Sequence, residues 1–99
     1  MADAIKSIGV IETKGFSPLI LAADTAVKAA AVDIVEWRKV GSGLVSFVIE
    51  GEVAAVRSAV DAAVAAASTV GEITSQVVIA RPAEELKTTF ETPKKKVTK

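Results

Sequence analysis

The stretch Val32-Asp33-Ile34-Val35-Glu36-Trp37-Arg38-Lys39-Val40-Gly41-Ser42-Gly43-Leu44-Val45-Ser46-Phe47-Val48-Ile49 decides the fold of this 99-residue chain. Val32, Ile34 and Val35 are β-formers and Trp37 adds an aromatic, so Val32 to Lys39 reads as a strand. Leu44, Val45, Phe47, Val48 and Ile49 read as the next one. Gly41-Ser42-Gly43 between them is turn chemistry: glycine supplies positive φ, and serine fills a polar tip. Trp37 fits either a core position or an exposed stacking surface near that turn.

Upstream, Ile5 to Thr13 is rich in Ile and Val and stops at Lys14-Gly15, a strand followed by a turn. Ser17-Pro18 then offers an N-cap with proline at the first helical position, where its missing N–H costs nothing. Phe16, Leu19, Ile20, Ala23, Val27 and Ala30 recur at three and four, predicting an amphipathic helix to about Ala31. Within it Asp24 precedes Lys28 by four residues, the favourable order for a helical ion pair. Downstream of the hairpin, Gly51 punctuates the chain, and a second helix runs from about Glu52 to Thr69. Its inner face is Val53, Val56, Val60, Ala63 and Ala67, with Arg57, Ser58 and Asp61 outside. Ile73 to Ala80 is the last strand, and Pro82 to Leu86 forms one helical turn.

The sum is β-α-β-β-α-β, the order of ferredoxin-like folds. The fold class is therefore α+β: a ferredoxin-like βαββαβ arrangement, with an antiparallel four-stranded sheet, two helices on one face and a short C-terminal helix. Residues 1–90 form the single domain, and residues 91–99, with Pro93 and the Lys94-Lys95-Lys96 run, form a disordered Lys-rich tail. That run mimics a nuclear localisation signal, but a solvated terminus accounts for it.

Composition narrows function. The chain is 51% apolar, yet the apolar content is small-sided: 18 residues are Ala, 15 are Val, and aromatics make up 4%. Small side chains bury little area each, and Ala-rich helices let backbones approach closely, which favours self-association. Apolar runs are broken well short of the roughly 20 residues a membrane-spanning helix requires. Twelve basic and twelve acidic residues cancel; four Lys and one Glu lie in 91–99, leaving a mildly acidic body with eight basic against eleven acidic groups. A nucleic-acid binder shows the opposite bias. With no Cys there is no disulfide, thiolate or sulfur metal site, as fits a reducing cytoplasm, and the N-terminus lacks the pattern of a secretory signal.

Catalytic chemistry is not evident. Without His, Cys or Tyr, proton transfer falls to carboxylates and Lys. Glu50 and Glu52 flank a helix start, where the dipole favours negative charge, and Glu84-Glu85 read as solvated surface charge. No oxygen-ligand cluster at loop spacing suggests a metal, and no cofactor is expected. Gly41-Ser42-Gly43 fails as a phosphate cradle because a strand, not a helix N-terminus, follows it. Read from composition alone it is an ordinary hairpin, and Lys28 and Arg81 pass as surface charge.

Four strings stand in one order and spacing: Ile11-Glu12-Thr13-Lys14-Gly15; Ala22-Ala23-Asp24 with Val27-Lys28-Ala29-Ala30; Lys39-Val40-Gly41-Ser42-Gly43; and Ile79-Ala80-Arg81-Pro82. Together they resemble the single-domain, hexamer-forming shell proteins of bacterial microcompartments, of the carboxysome and the propanediol- and ethanolamine-utilisation types. The resemblance implies a non-enzymatic structural protein of the cytoplasm, a cyclic homo-hexamer that tiles with neighbouring hexamers and other shell proteins around enclosed enzymes. It places Lys39, Val40, Gly41, Ser42 and Gly43 at a central pore for small polar metabolites, and Lys28, Ala31 and Arg81 at the hexamer edge. It implies no nucleic-acid or membrane partner. Glu50-Gly51-Glu52 stands where the family often has Arg-Gly-Asp, Ala83 replaces a usual His, Leu21 replaces an acidic residue, and Ala31 replaces a polar one. These departures favour mixed tiling with sister shell proteins over large sheets of one chain. Two other readings are an oligomeric ferredoxin-like regulator binding a small ligand between subunits and a basic-tailed nucleic-acid binder.

Overall fold

The computed structural model describes residues 6–80. Arg81, the helical turn at 82–86 and the tail at 91–99 lie outside the described residues. The elements are β1 (Ser7–Lys14), α1 (Phe16–Ala29), β2 (Val32–Gly41), β3 (Leu44–Gly51), α2 (Val53–Ala67) and β4 (Ile73–Ile79). One antiparallel sheet carries them in the order β2-β3-β1-β4, so the βαββαβ reading holds.

Period-two alternation divides β1 between two faces. Ser7, Gly9, Ile11 and Thr13 are buried under the helices, while Ile8, Val10 and Glu12 are half-exposed on the far face. The register sets Gly9 against Ile49, Ile11 against Phe47 and Thr13 against Val45, which makes one continuous apolar surface. The closest approach of helix to sheet is at Gly9: a Cβ there would lie 2.9 Å from Val56 Cγ1 and 2.9 Å from Val60 Cγ2. Glycine in the central strand and alanine along both helices therefore let two layers close into a slab, with Cα extents of 40 × 31 × 15 Å.

The α2 stripe is as the periodicity predicts: Val56, Val60, Ala63 and Ala67 are buried with Ala59, Val53 is half-buried, and Arg57, Ser58 and Asp61 face out. For α1 the expected stripe is corrected. Leu19 and Ala23 are buried, joined by Pro18, Ala22 and Ala26, but Phe16, Ile20 and Val27 are 57%, 54% and 43% exposed. The apolar arc of α1 is wider than one monomer can cover. Where α1 presses on α2, small Ala side chains fit the tight spacing, and the bulky residues are left on the outer flank. The cap also differs. Gly15 at φ 91°, not Ser17, is the N-cap, with no side-chain hydrogen bond. The positive φ turns the chain sharply enough to start the helix at Phe16, which puts Pro18 inside the first turn, where no intrahelical donor is needed. Pro18 is held beneath Gly71 in the α2–β4 connection, where a Cβ would lie 2.5 Å from Pro18 Cγ.

The core that results is light. Of 14 buried apolar residues among those described, six are Ala; the largest fully buried are Phe47, Ile11, Leu19 and Ile49. Against the eight larger core residues stand eight large apolar side chains left exposed among the described residues: Phe16, Ile20, Val27, Val35, Trp37, Val40, Val70 and Val77. Among the described residues no helix is long and apolar enough to cross a membrane.

Candidate functional site

The β2–β3 hairpin turns on a run of positive φ: Gly41 at 115°, Ser42 at 55° and Gly43 at 83°. Gly41 pairs with Leu44, leaving Ser42-Gly43 as a two-residue loop whose central residues both have φ > 0, the combination that matches strand twist. A Cβ on Gly41 or Gly43 would meet no atom within 4 Å, so backbone angle alone selects glycine there. Ser42 is the only described non-glycine residue at positive φ, at a cost on the order of 1 kcal/mol. All three residues are exposed, and the Ser42 hydroxyl has no side-chain hydrogen bond within the described residues.

The tip is nevertheless fixed in place. The Gly15 N–H donates to the Gly43 carbonyl at 2.8 Å, and the Lys14 N–H donates to the Glu72 carbonyl at 3.1 Å. The hydroxyl of Thr13, itself fully buried, donates to the Gly15 carbonyl at 2.9 Å. The β1–α1 turn therefore ties the hairpin and the α2–β4 connection together at one end of the molecule.

Below the tip, β2 is an edge strand, and every residue from Val35 to Gly41 is exposed. Its register with β3 slips between Ile34 and Glu36 and again between Lys39 and Gly41. Trp37 resolves its two sequence readings midway: it is half-exposed, with its ring 5.7 Å from that of Phe47 and tilted by 53°. Arg38 folds back on Glu36, its Nη2 at 2.6 Å and Nε at 3.2 Å from one carboxylate oxygen. Lys39 forms no ion pair among the described residues. Lys39 on β2 and Lys14, opposite Leu44 on β1, are thus the unpaired positive charges beside the tip among the described residues, while that of Arg38 is offset.

The second set of predicted residues lies at the other end of α1. Lys28 and Ala31 are both exposed; Lys28 Nζ is 3.1 Å from Asp24 Oδ2, the expected pair four residues apart. Helix α1 starts beside the hairpin, and its 14 residues at 1.5 Å each carry Lys28 roughly 20 Å away from it. The structure brings Lys39 to Gly43 together, brings Lys28 and Ala31 together, and separates the two groups by the length of a helix. Arg81 lies outside the described residues.

Elsewhere, Glu50 is half-buried with Lys6 Nζ at 3.9 Å, and Glu52 is the N-cap of α2 without a side-chain cap. Among the described residues no three His, Cys, Asp or Glu side chains converge as metal ligands would. An open groove of about 420 Å³ runs between α2 and β4, lined by Arg57, Val60, Asp61, Gln76, Val77 and Val78. The sequence pattern sets Val60 on the inner face of α2 and Arg57 and Asp61 outside it, but does not mark a groove there. That Arg57 and Asp61 share a groove with Gln76 depends on how α2 crosses the sheet, and local pattern does not report that.

Residues 7–82 match the BMC domain family. The bacterial microcompartment shell protein PduA of Citrobacter freundii is 48% identical over 77 residues, covering 78% of this chain and 83% of that protein. The carboxysome shell protein CcmK2 of Synechocystis is 45% identical, covering 81% of this chain and 80% of the relative. The shell protein EutM of Salmonella typhimurium is 43% identical, covering 87% and 90%. A solved microcompartment protein from Desulfitobacterium hafniense superposes with a TM-score of 0.74 at 44% identity, over 84% of this chain; the chain spans 47% of that longer one. With the domain matched nearly end to end and the βαββαβ fold in place, the chain belongs to the BMC domain family of bacterial microcompartment shell proteins.

Proposed function

We propose that this chain is a structural tile of a microcompartment shell in the cytoplasm, with no catalytic role. Copies close into a cyclic homo-hexamer, and hexamers join edge to edge with one another and with other shell proteins around enclosed enzymes. Gly41-Ser42-Gly43 of each copy rims a central pore for small polar metabolites. The domain spans residues 1–90, with 91–99 as an appended tail.

The observation that carries this reading is the hairpin: an exposed, glycine-flanked serine is held at φ 55° and braced by the β1–α1 turn. A mobile surface turn has no need of that brace. Rotational symmetry multiplies one residue around an axis, so a ring presents a hydroxyl from every copy at a narrow opening. Glycines on either side allow backbones to approach without Cβ collisions, and hydroxyl and amide groups replace part of a solute's hydration. Lys39, without a carboxylate partner among the described residues, adds a ring of positive charge that draws anionic solutes to the mouth.

The exposed apolar residues support association. Three of them (Val35, Trp37, Val40) lie on the edge strand beside the hairpin and three (Phe16, Ile20, Val27) on the outer flank of α1. Large apolar surface left on so small a domain marks a contact surface. At the far end of α1, Lys28 can lay its stem along a neighbouring tile and donate to carbonyls across the contact, with Ala31 leaving room for close approach. The alternative, a regulator binding a ligand between subunits, lacks a comparable observation: the α2–β4 groove is open, and no buried polar side chain there is left without a partner.

The test is flux. Reconstituted shells carrying Ser42→Leu pass polar solutes more slowly than wild type while their assembly is unchanged. Unaltered flux in that variant contradicts the pore assignment.

A further inference from the structure

We propose that Thr13 is a positioning residue for the pore rim, acting through Gly15 on the backbone of Gly43. This rests on the pore reading above and adds the element that sets the rim's shape.

Three observations make the relay. Thr13 is fully buried in the central strand, yet its hydroxyl is spent on a carbonyl two residues on, that of the α1 N-cap, at 2.9 Å, and not on a partner strand. That carbonyl belongs to Gly15, held at φ 91° with open space where a Cβ would be. The Gly15 N–H reaches across to the Gly43 carbonyl at 2.8 Å. Gly15 is thereby held on both sides of its Cα: its carbonyl, in the peptide to Phe16, by a buried side chain, and its N–H, in the peptide from Lys14, by the tip. The tip consists of three successive positive-φ residues, one of them a serine that such angles disfavour. A conformation of that kind persists where its surroundings over-determine it. The buried Thr13 hydroxyl is the fixed end of the restraint, because core packing locks a β-branched side chain at χ1.

The sequence around it supports the same division of labour. Lys14, between Thr13 and Gly15, is tied by its own N–H to Glu72, so the turn cannot pivot freely on the strand end. Loss of the Thr13 hydroxyl leaves the turn attached but frees the carbonyl side of Gly15, so the torsions at its Cα relax and the Gly15 N–H holds the Gly43 carbonyl less firmly.

The experiment is site-resolved hydrogen exchange on assembled full-length protein, alongside flux of a small anion through reconstituted shells. Thr13→Val keeps the branched shape and removes the donor; Thr13→Ser keeps the donor. Removing one buried hydrogen bond speeds exchange of the Gly15 amide by about tenfold in Thr13→Val, while the α2 amides of Val56 to Val60 keep their wild-type rates. Thr13→Ser restores slow exchange. Wild-type exchange at Gly15 in Thr13→Val overturns the relay, as does equal acceleration in both variants. Should Thr13→Val lose protection throughout, Gly15→Ala serves instead, since its Cβ meets nothing and only the φ is disturbed; unchanged Gly43 and Leu44 exchange in that variant also overturns the proposal. Anion flux separates the two levels. Faster Gly15 exchange with altered flux supports relay and pore together, whereas faster exchange with unaltered flux supports the relay and contradicts the pore reading.

Discussion

Replacing Gly9 with alanine places a methyl group 2.9 Å from Val56 Cγ1, 2.9 Å from Val60 Cγ2 and 3.2 Å from Ile49 Cγ1. Carbon atoms prefer about 3.5–4.0 Å, so helix α2 must lift from the sheet or two stiff valines must leave their rotamers. Overpacking of this kind costs about 1–3 kcal/mol, offset by about 0.5–1 kcal/mol because alanine loses less backbone freedom than glycine. The net expectation is a loss of about 1 kcal/mol, which lowers a urea midpoint by about 0.5 M at ordinary slopes. The assay is equilibrium unfolding at one fixed chain concentration, because an oligomer's stability varies with it. Val60→Ala alone costs about 2 kcal/mol through the cavity it opens. In the double variant the new methyl occupies part of that space, so the combined loss falls short of the sum by about 0.5–1 kcal/mol. Strict additivity refutes the reasoning: it means that the contact at Gly9 does not set the separation between helix and sheet.

Lys28→Ala is expected to leave the oligomer's mass unchanged and to abolish sheets or tubes in electron micrographs of concentrated protein; ordered sheets from that variant remove Lys28 from the edge. Asp24→Asn tests the pair itself: both partners are more than half exposed, so unfolding stability changes by less than about 0.5 kcal/mol. Its effect on assembly, if Asp24 orients Lys28 toward the neighbour, is a raised concentration threshold for sheets seen by light scattering. Lys39→Glu in reconstituted shells is expected to slow an anionic solute relative to a neutral one of similar size, and an unaltered ratio counts against Lys39 as the focusing charge.

The parts of this structure that sequence reading reached are those where cause and effect are local. Gly41-Ser42-Gly43 forms its turn because glycine tolerates φ values that flanking residues do not, and no distant contact is needed to see it. The α2 stripe is legible because its polar face is distinct: Arg57, Ser58 and Asp61 leave Val56, Val60, Ala63 and Ala67 as the one apolar side. Helix α1 lacks that contrast. Phe16, Ile20 and Val27 continue the apolar arc of Leu19 and Ala23, and periodicity does not tell a face turned to the chain's own core from one turned outward. Size decides: where α1 meets α2, alanines are selected. The helix start differs from the sequence expectation for a related reason: Ser17-Pro18 has cap chemistry, but Gly15 has the backbone angle.

The candidate site was legible as residues and not as an arrangement. Lys39 to Gly43 and Lys28 with Ala31 were marked by resemblance, and their separation by about 20 Å follows from the helix between them. The bond from Gly15 to Gly43 joins residues far apart in sequence and exists because the β1–β3 register brings Lys14 opposite Leu44. The register shift between Ile34 and Glu36 likewise sets Trp37 opposite Phe47 and Lys39 opposite Val45, which strict alternation does not foresee.

The chain has no cysteine, so Ser42→Cys introduces a single thiol at the hairpin tip. In dilute solution a short bis-maleimide is expected to join tips of adjacent copies into covalent dimers within a hexamer, while Ser58→Cys on the outer face of α2 stays monomeric on a denaturing gel. Tips that never cross-link, in protein whose mass shows it assembled, contradict the claim that this hairpin gathers around a common axis.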